Sequence, residues 1–255
     1  MKFVFDIDGT ICFDGQTINE KILQALQLVK ESGHDLIFAS ARSYRDCENL
    51  LGSKFSKEKV IGLNGGLFYD KGELVTKWHL GQKDFKDILS YCKEYNLPYF
   101  IDDALNFAVS QRKMIPFISS VDESGQGKEV TLSEMTYAIK MVIYLGNHPD
   151  LEEDLLVHFE RFDDVTVSYH ENEKCLYITP KGISKAAALK ELDLLPYIAF
   201  GNDKNDIELF NEALYAYQVG NYQPLKQYSD QVLEPTAEVV ASTIKDLLES
   251  FQESK

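Results

Sequence analysis

The sequence predicts an α/β protein in which a parallel sheet flanked by helices is interrupted by an inserted α+β unit. Strand-like apolar runs alternate with helical patterns up to residue 63, and the same alternation returns after residue 183. Between these regions, strand-like runs tend to come in adjacent pairs. Strands alternating with helices favour a parallel sheet with right-handed crossovers, whereas paired strands favour an antiparallel one.

The N-terminal region predicts three strands and two helices. A short β-type run at residues 2–5 ends at Asp6. Ile22, Leu26 and Val29 recur at helical spacing, which predicts a helix over 19–32 with Gly33 as its stop. The remaining elements are a strand at 34–39, a helix at 44–51 and a strand at 59–63.

The middle region predicts the inserted unit. Asp150 and Glu153 have capping-box spacing at the start of a helix over 150–162. The other expected elements are a helix at 84–95, strands at 98–101, 106–110, 137–145, 165–170 and 176–179, and a loop at 122–128.

The C-terminal region repeats the parallel pattern. It predicts a helix at 184–193, a strand at 197–200, a helix at 206–213, a strand at 216–220 and a last helix from about Pro235. We therefore expect a core domain formed by residues 1–81 and 176–255, with the inserted domain at 82–175.

Composition narrows the possible functions. The 255 residues include 26 Lys plus Arg and 41 Asp plus Glu, a formal charge of −15, which argues against binding nucleic acid or an anionic membrane. No apolar run approaches membrane-spanning length, and no signal-peptide-like segment precedes Asp6, so we expect a cytoplasmic protein. The four cysteines lack CxxC spacing and are interpreted as reduced packing residues.

Two acidic segments follow predicted strands. Asp6 and Asp8, in Asp6-Ile7-Asp8-Gly9-Thr10, can both face the crevice beyond the strand end, because strand side chains repeat every second residue. A second acidic loop at 201–206 contains Asp203 and Asp206. Either segment alone suits a turn or a helix N-cap. Together they predict an oxygen site for Mg²⁺, which takes one or two carboxylates, keeps water and binds a substrate phosphate as a further ligand.

Two further positions suit phosphate binding. Lys185 begins a predicted helix and could supply a point charge, although a lysine there is usually a solvated surface residue. Ser40, Ala41 and Arg42 close a predicted strand, where a hydroxyl and backbone N–H groups could hold phosphoryl oxygens.

In this order, the motifs resemble those of the haloacid dehalogenase superfamily of phosphohydrolases, and most nearly its Cof-type branch. The resemblance covers essentially the whole chain. It rests on DIDGT at 6–10, SAR at 40–42, NGG at 64–66, GISK at 182–185, GNDKND at 201–206 and VGN at 219–221. It implies a Rossmann-like core with an inserted α+β cap that selects the substrate.

The resemblance also implies roles for individual residues. Asp6 would be the nucleophile that forms an aspartyl-phosphate, and Asp8 the general acid and base. Ser40, Ala41, Lys185 and Asn205 would bind the phosphoryl group. Mg²⁺ would be held by the Asp6 carboxylate, the Asp8 backbone carbonyl and Asn202, with Asp206 orienting water around the metal.

Two departures from the family pattern affect these expectations. Asn202 stands where the family usually has Asp, and Asp203 where it usually has Gly. Asn202 is expected to be the direct ligand, unless Asp203 takes that place. Ala41 replaces a usual Gly and is tolerable only with a negative φ.

The leading expectation is a Mg²⁺-dependent phosphatase for a small organic phosphate monoester, such as a sugar phosphate. A phosphomutase or phosphotransferase on the same scaffold is the first alternative. A non-catalytic phosphometabolite sensor is the second, motivated by Asn202 but opposed by the complete set of Asp6, Asp8 and Lys185. Dehalogenation is disfavoured, because Asp8 and a metal loop serve phosphate chemistry. The sequence leaves the oligomeric state open.

Overall fold

Two β-sheets organise the protein in the computed structural model, which describes residues 1–135 and 137–253. The first segment supplies five strands and two helices to the larger sheet. These are β1 (Lys2–Phe5), α1 (Glu20–Glu31), β2 (Asp35–Ala39), α2 (Tyr44–Phe55), β3 (Lys59–Gly62), β4 (Leu67–Asp70) and β5 (Glu73–Lys77).

The inserted segment forms the second sheet, which has six strands. Its elements are α3 (Gln82–Glu94), β6 (Tyr99–Asp102), β7 (Asn106–Val109), β8 (Lys128–Glu129), β9 (Lys140–Tyr144), α4 (Glu152–Phe159), β10 (Val165–His170) and β11 (Cys175–Pro180). The strand order is β10-β11-β9-β6-β7-β8, and all pairs are antiparallel except β7 with β8.

The chain then returns to the larger sheet. The returning elements are α5 (Lys185–Glu191), β12 (Tyr197–Gly201), α6 (Ile207–Asn211), β13 (Tyr215–Val219), α7 (Gln223–Lys226), β14 (Gln231–Leu233) and α8 (Ala237–Glu253). The strand order in this eight-stranded sheet is β14-β13-β12-β1-β2-β3-β4-β5. β1 lies near its middle and pairs in parallel with both β2 and β12.

Both faces of the larger sheet are covered because its strands are apolar on both sides. In β1, Phe3 and Phe5 pack on one face with α1 and α8, and Val4 packs on the other with α5 and α6. This is the continuous apolar pattern of a buried parallel strand. None of the helices in the described part of the chain combines the length and apolar character needed to cross a bilayer.

The fold confirms the predicted α/β class with an inserted α+β unit, and it corrects one boundary. β11 pairs with β9 and β10, so it belongs to the second sheet. The limit expected at residue 175 therefore moves past Pro180. We propose a core of residues 1–81 and 181–253 with a cap at 82–180; residues 136, 254 and 255 of the expected units lie outside the described residues.

Two local expectations also change. The prediction that Asp150 and Glu153 form a capping box at the helix start was wrong. Pro149 begins a short 3₁₀ turn through Leu151, and α4 starts only at Glu152. The β4–β5 hairpin at the sheet edge was not predicted. Its two-residue turn, Lys71-Gly72, has positive φ at both positions, as a type I′ hairpin turn requires.

The cap docks onto the core through a buried arginine. Arg45, in the first turn of α2, is fully buried, and its Nη2 donates to Asp102 Oδ1 of β6 at 2.8 Å. Its Nη1 donates to the Leu105 carbonyl oxygen, and its guanidinium lies over the Phe107 ring. A planar group with several fixed donors suits this position, where carboxylate, carbonyl and ring converge.

We expect Arg45→Met to lower the free energy of unfolding by about 3 kcal/mol, because it removes the hydrogen bond to Asp102 and leaves this buried carboxylate with only Lys140, at 3.6 Å, as an ion-pair partner. Urea unfolding followed by circular dichroism measures this loss. The matched control is Arg112→Met, which breaks a half-exposed ion pair with Glu129 and should cost less than about 1 kcal/mol. Equal losses for the two variants would contradict the special contribution of Arg45.

Candidate active site

The candidate residues lie at the carboxyl ends of neighbouring inner strands of the larger sheet. Asp6 follows β1, Ser40 follows β2, and Asn202 follows β12, which are neighbouring parallel strands. The carboxyl ends of parallel strands open onto a common crevice. The topology therefore brings together segments that are nearly 200 residues apart in sequence.

Lys185 is the centre of this group. Its ammonium is buried at the start of α5, and Nζ donates to Asp6 Oδ1 at 2.5 Å and to Asp206 Oδ1 at 2.7 Å. The helix begins here because Ser184 is its N-cap and accepts from the Ala187 N–H. The structure thus excludes the alternative that Lys185 is a solvated surface lysine.

Burial and charge act in opposite directions on this cluster. Burial raises the pKa of Asp6 to about 7, and the negative charge of Asp206 adds to this, while Lys185 lowers the pKa. Burial alone would lower the pKa of Lys185, but the Asp206 and Asp6 carboxylates outweigh it and raise that pKa. When both carboxylates are ionised, they outnumber the single ammonium, and a bound cation would balance the remaining charge.

Asp206 organises the loop that follows β12. Its Oδ1 accepts from Lys185, and its Oδ2 accepts from the backbone N–H groups of Asn202 and Asp203 at 2.8 and 3.2 Å. Asp203 accepts from the Lys204 N–H and completes a capping box with Asp206. Asp203 is exposed at the start of this 3₁₀ turn. Both aspartates therefore hold the loop that presents Asn202.

Asn202 completes a set of converging oxygens. Its Oδ1 position lies 3.0 Å from Asp6 Oδ2 and 2.9 Å from the Asp8 carbonyl oxygen. With the amide turned over, its nitrogen would instead donate to both oxygens. Adjacent oxygen ligands of octahedral Mg²⁺ are about 3 Å apart, so this donor set fits the ion when the amide oxygen faces inward.

The fit to Mg²⁺ depends on oxygens of different chemical types and not on a cluster of carboxylates. In the described part of the chain, no three Asp, Glu, His or Cys side chains group to hold a metal. The converging oxygens come from one carboxylate, one backbone carbonyl and one amide. Thr10 supports them, since its hydroxyl donates to Asp6 Oδ2 at 3.0 Å.

Three of the four expected phosphate-binding residues line a cavity, and the fourth is buried beside it. Ala41, Lys185 and Asn205 line a cavity between core and cap. Ser40 is buried, and its Oγ accepts from the Arg42 N–H at 3.1 Å. Ala41 does not have a positive φ, so the condition for a methyl group there is met. Asn205 Nδ2 donates to Asn64 Oδ1, which joins the loops after β3 and β12.

Arg42 points toward Asp8 at the site. Its Nε and Nη2 donate to the two carboxylate oxygens of Asp8, each at 2.7 Å. The sequence alone does not assign a role to Arg42. Its direction depends on Asp8, 34 positions away, and on the loop beyond it.

The cavity beside these residues measures about 880 Å³ and is lined by both core and cap residues. Cap residues Phe117, Lys140, His170 and Tyr177 line it. The His170 and Tyr177 rings stack with centroids 4.0 Å apart, and Lys140 lies over Tyr177. Sequence analysis did not assign Lys140 or His170 to the site, because only the sheet pairing of β9, β10 and β11 places them together.

Comparison with known proteins decides the family. The model of the haloacid dehalogenase-like hydrolases matches residues 3–244. The chain belongs to this family. The Cof-type resemblance read from the motifs is thereby supported, and the protein is a phosphatase-type hydrolase.

The similarity to individual relatives covers most of their length and most of this chain. The YkrA protein of Bacillus subtilis is 25% identical over 254 residues, covering 95% of this chain and 96% of its own. An HMP-PP phosphatase of Escherichia coli is 24% identical and covers 86% of this chain and 84% of its own. TM0651 of Thermotoga maritima has the same fold, with a TM-score of 0.81, 23% identity and 96% of both chains covered.

The contact between Gly9 and Asn202 yields a testable prediction. Gly9 has φ +75°, and a Cβ there would lie 2.9 Å from Asn202 Cγ. We expect Gly9→Ala to displace the amide and to cost about 1–3 kcal/mol beyond backbone strain. Calorimetric unfolding with and without Mg²⁺ measures both effects.

Gly182→Ala is the matched control, because Gly182 has the same φ of +75° but nothing within 4 Å of the added methyl group. It should show the backbone strain alone. If the two variants lose equal stability and respond equally to Mg²⁺, the close approach of Gly9 to Asn202 has no consequence for the site.

Proposed function

We propose that the protein is a Mg²⁺-dependent phosphatase that hydrolyses a small organic phosphate monoester, such as a sugar phosphate, through an aspartyl-phosphate on Asp6. The observation that carries the proposal is the buried contact of Lys185 with Asp6, beside the oxygens of Asn202 and Asp8. A nucleophilic carboxylate next to fixed positive charge suits phosphoryl transfer, which depends on alignment and charge stabilisation.

The two oxygens of Asp6 have different surroundings. Oδ1 contacts the Lys185 ammonium, and Oδ2 accepts from Thr10 and lies beside Asn202. We assign Oδ1 as the attacking atom, because Lys185 can then stay in contact with both the nucleophile and the incoming phosphoryl group. Oδ2 remains with the converging oxygens, so one carboxylate serves both purposes.

Asp8 serves as acid and then as base in the proposed reaction. As Asp6 forms its bond to phosphorus, the bond to the leaving-group oxygen breaks and Asp8 gives that oxygen a proton. Water then attacks phosphorus, loses a proton to Asp8, and releases phosphate and free Asp6. Asp6, the Asp8 carbonyl and Asn202 would hold Mg²⁺, and the bound ion would neutralise negative charge there.

Cavity size supports a small metabolite as substrate. About 880 Å³ admits a phosphorylated sugar or a compound of similar size. The relative named HMP-PP phosphatase also carries a small phosphate compound in its name. The formal charge of −15 disfavours nucleic acid as partner. The four free, buried cysteines suit the reducing cytoplasm.

We expect the protein to release phosphate from at least one member of a panel of sugar and related phosphate monoesters when Mg²⁺ is present. Asp6→Asn should lower kcat at least about a thousandfold, because it removes the nucleophile. Asp163→Asn, an exposed acid on the cap, is the matched control and should keep full activity. Colorimetric phosphate assay measures both.

The same experiment separates the alternatives. A phosphomutase would give an isomeric phosphate ester with little free phosphate, which chromatography of the products detects. A sensor would bind esters without turnover. Phosphate release that survives Asp6→Asn would refute the covalent intermediate.

A second prediction concerns the neutral ligand. We expect Asn202→Asp to tighten Mg²⁺ binding about tenfold, because a carboxylate adds charge at the converging oxygens. Isothermal titration with Mg²⁺ measures the affinity without requiring turnover. Asp203→Asn is the control, since asparagine keeps the N-cap and should change the affinity little. A larger effect of Asp203→Asn would assign the ligand position to Asp203.

A further inference from the structure

Arg42 and Asp8 form a forked ion pair at the edge of the cavity. Both carboxylate oxygens of Asp8 accept from the guanidinium, from Nε and Nη2 at 2.7 Å each. Among the described residues, Arg42 is the side chain that donates hydrogen bonds to the Asp8 carboxylate. Two parallel bonds fix the plane of a carboxylate as well as its position.

Arg42 is itself held from two sides. Its Nη2 donates to the Gly15 carbonyl oxygen at 2.7 Å, in the loop that follows the first motif. Asp14 fixes that loop by accepting from the backbone N–H groups of Gln16 and Thr17.

The backbone of Arg42 is held as well. Its N–H donates to Ser40 Oγ, and its carbonyl oxygen accepts from the Leu63 N–H. The guanidinium therefore has a defined direction.

An ordinary surface ion pair would not need such a frame. The Arg42 side chain is 24% exposed, the Asp8 side chain is 45% exposed, and Arg42 lines the cavity. Exposed pairs contribute little to stability, so stability alone gives a weak reason for this arrangement. The pair instead places the one carboxylate that the proposed reaction uses for proton transfer.

We propose that Arg42 is a positioning residue, which orients the Asp8 carboxylate for proton transfer to the leaving group. The inference rests on the proposed function. A carboxylate has about four lone-pair sites, so the fork leaves sites free for the reaction. One proton passes from Asp8 to the leaving-group oxygen as that oxygen separates from phosphorus, and one returns to Asp8 from the attacking water.

Leaving-group dependence tests this role. An alkyl phosphate needs a proton on its leaving oxygen, whereas p-nitrophenyl phosphate releases a stable anion. Arg42→Gln should therefore lower kcat/KM for an alkyl phosphate about tenfold to a hundredfold, and for p-nitrophenyl phosphate much less. Arg42→Lys, which keeps the charge without the fork, should lie between. Arg112→Gln, on the outer surface of the cap, is the matched control.

Coupling to Asp8 gives a second readout. In an Asp8→Asn background, Arg42→Gln should add little further loss on the alkyl ester, because the group that it positions is already gone. Multiplicative losses in the double variant, or equal losses on both esters in the single variant, would overturn the proposal. Wild-type phosphate release, and its loss in Asp6→Asn, tests the proposed function separately.

A crystal structure of the Arg42→Gln variant provides a readout that needs no turnover. The Asp8 carboxylate should leave its wild-type orientation or occupy several. If it keeps the wild-type orientation, Arg42 does not position it, whatever the kinetics show.

Discussion

The structure of the site depends on one buried ammonium group. Lys185 lies between two carboxylates that belong to different chain segments, 179 and 21 positions away. Removing one member of such a buried group leaves the others without compensation, at a cost of several kcal/mol. The contact therefore fixes the end of β1 against the start of α5 and the loop after β12. The converging oxygens depend on the same three segments.

Charge balance explains why this arrangement suits a cation. Lys185 carries one positive charge, while Asp6 and Asp206 carry two negative charges when both are ionised. Asp206 uses both of its oxygens within the protein, so the charge that is not balanced lies on Asp6 when both carboxylates are ionised. Asn202 adds an oxygen dipole at this place and no further charge. We therefore expect the proposed site to attract a divalent ion less strongly than one with aspartate at this position.

The sequence predicted those helices and strands that have a clear apolar pattern within their own residues. The stripe of Ile22, Leu26 and Val29 predicted α1, and the structure adds Asn19 as its N-cap. The end of the cap could not be placed in this way, because β11 follows the pattern of any strand and only its pairing with β9 shows its sheet. For the site, the order of motifs predicted which residues meet. It did not predict the direction of Arg42, which depends on a carboxylate in another loop.

Arg42 and Arg45 connect the two halves of the site through one short segment. Arg42 follows β2 and holds Asp8, whereas Arg45, three residues later in α2, holds Asp102 of the cap. The intervening Ser43 donates to Asp46, and Asp46 accepts from the Asp122 N–H of the cap. This short segment therefore contacts both the core loop that carries Asp8 and the cap. In the proposed reaction, the cap and the Asp8 carboxylate would therefore be aligned with each other through residues 42–46, which contact both.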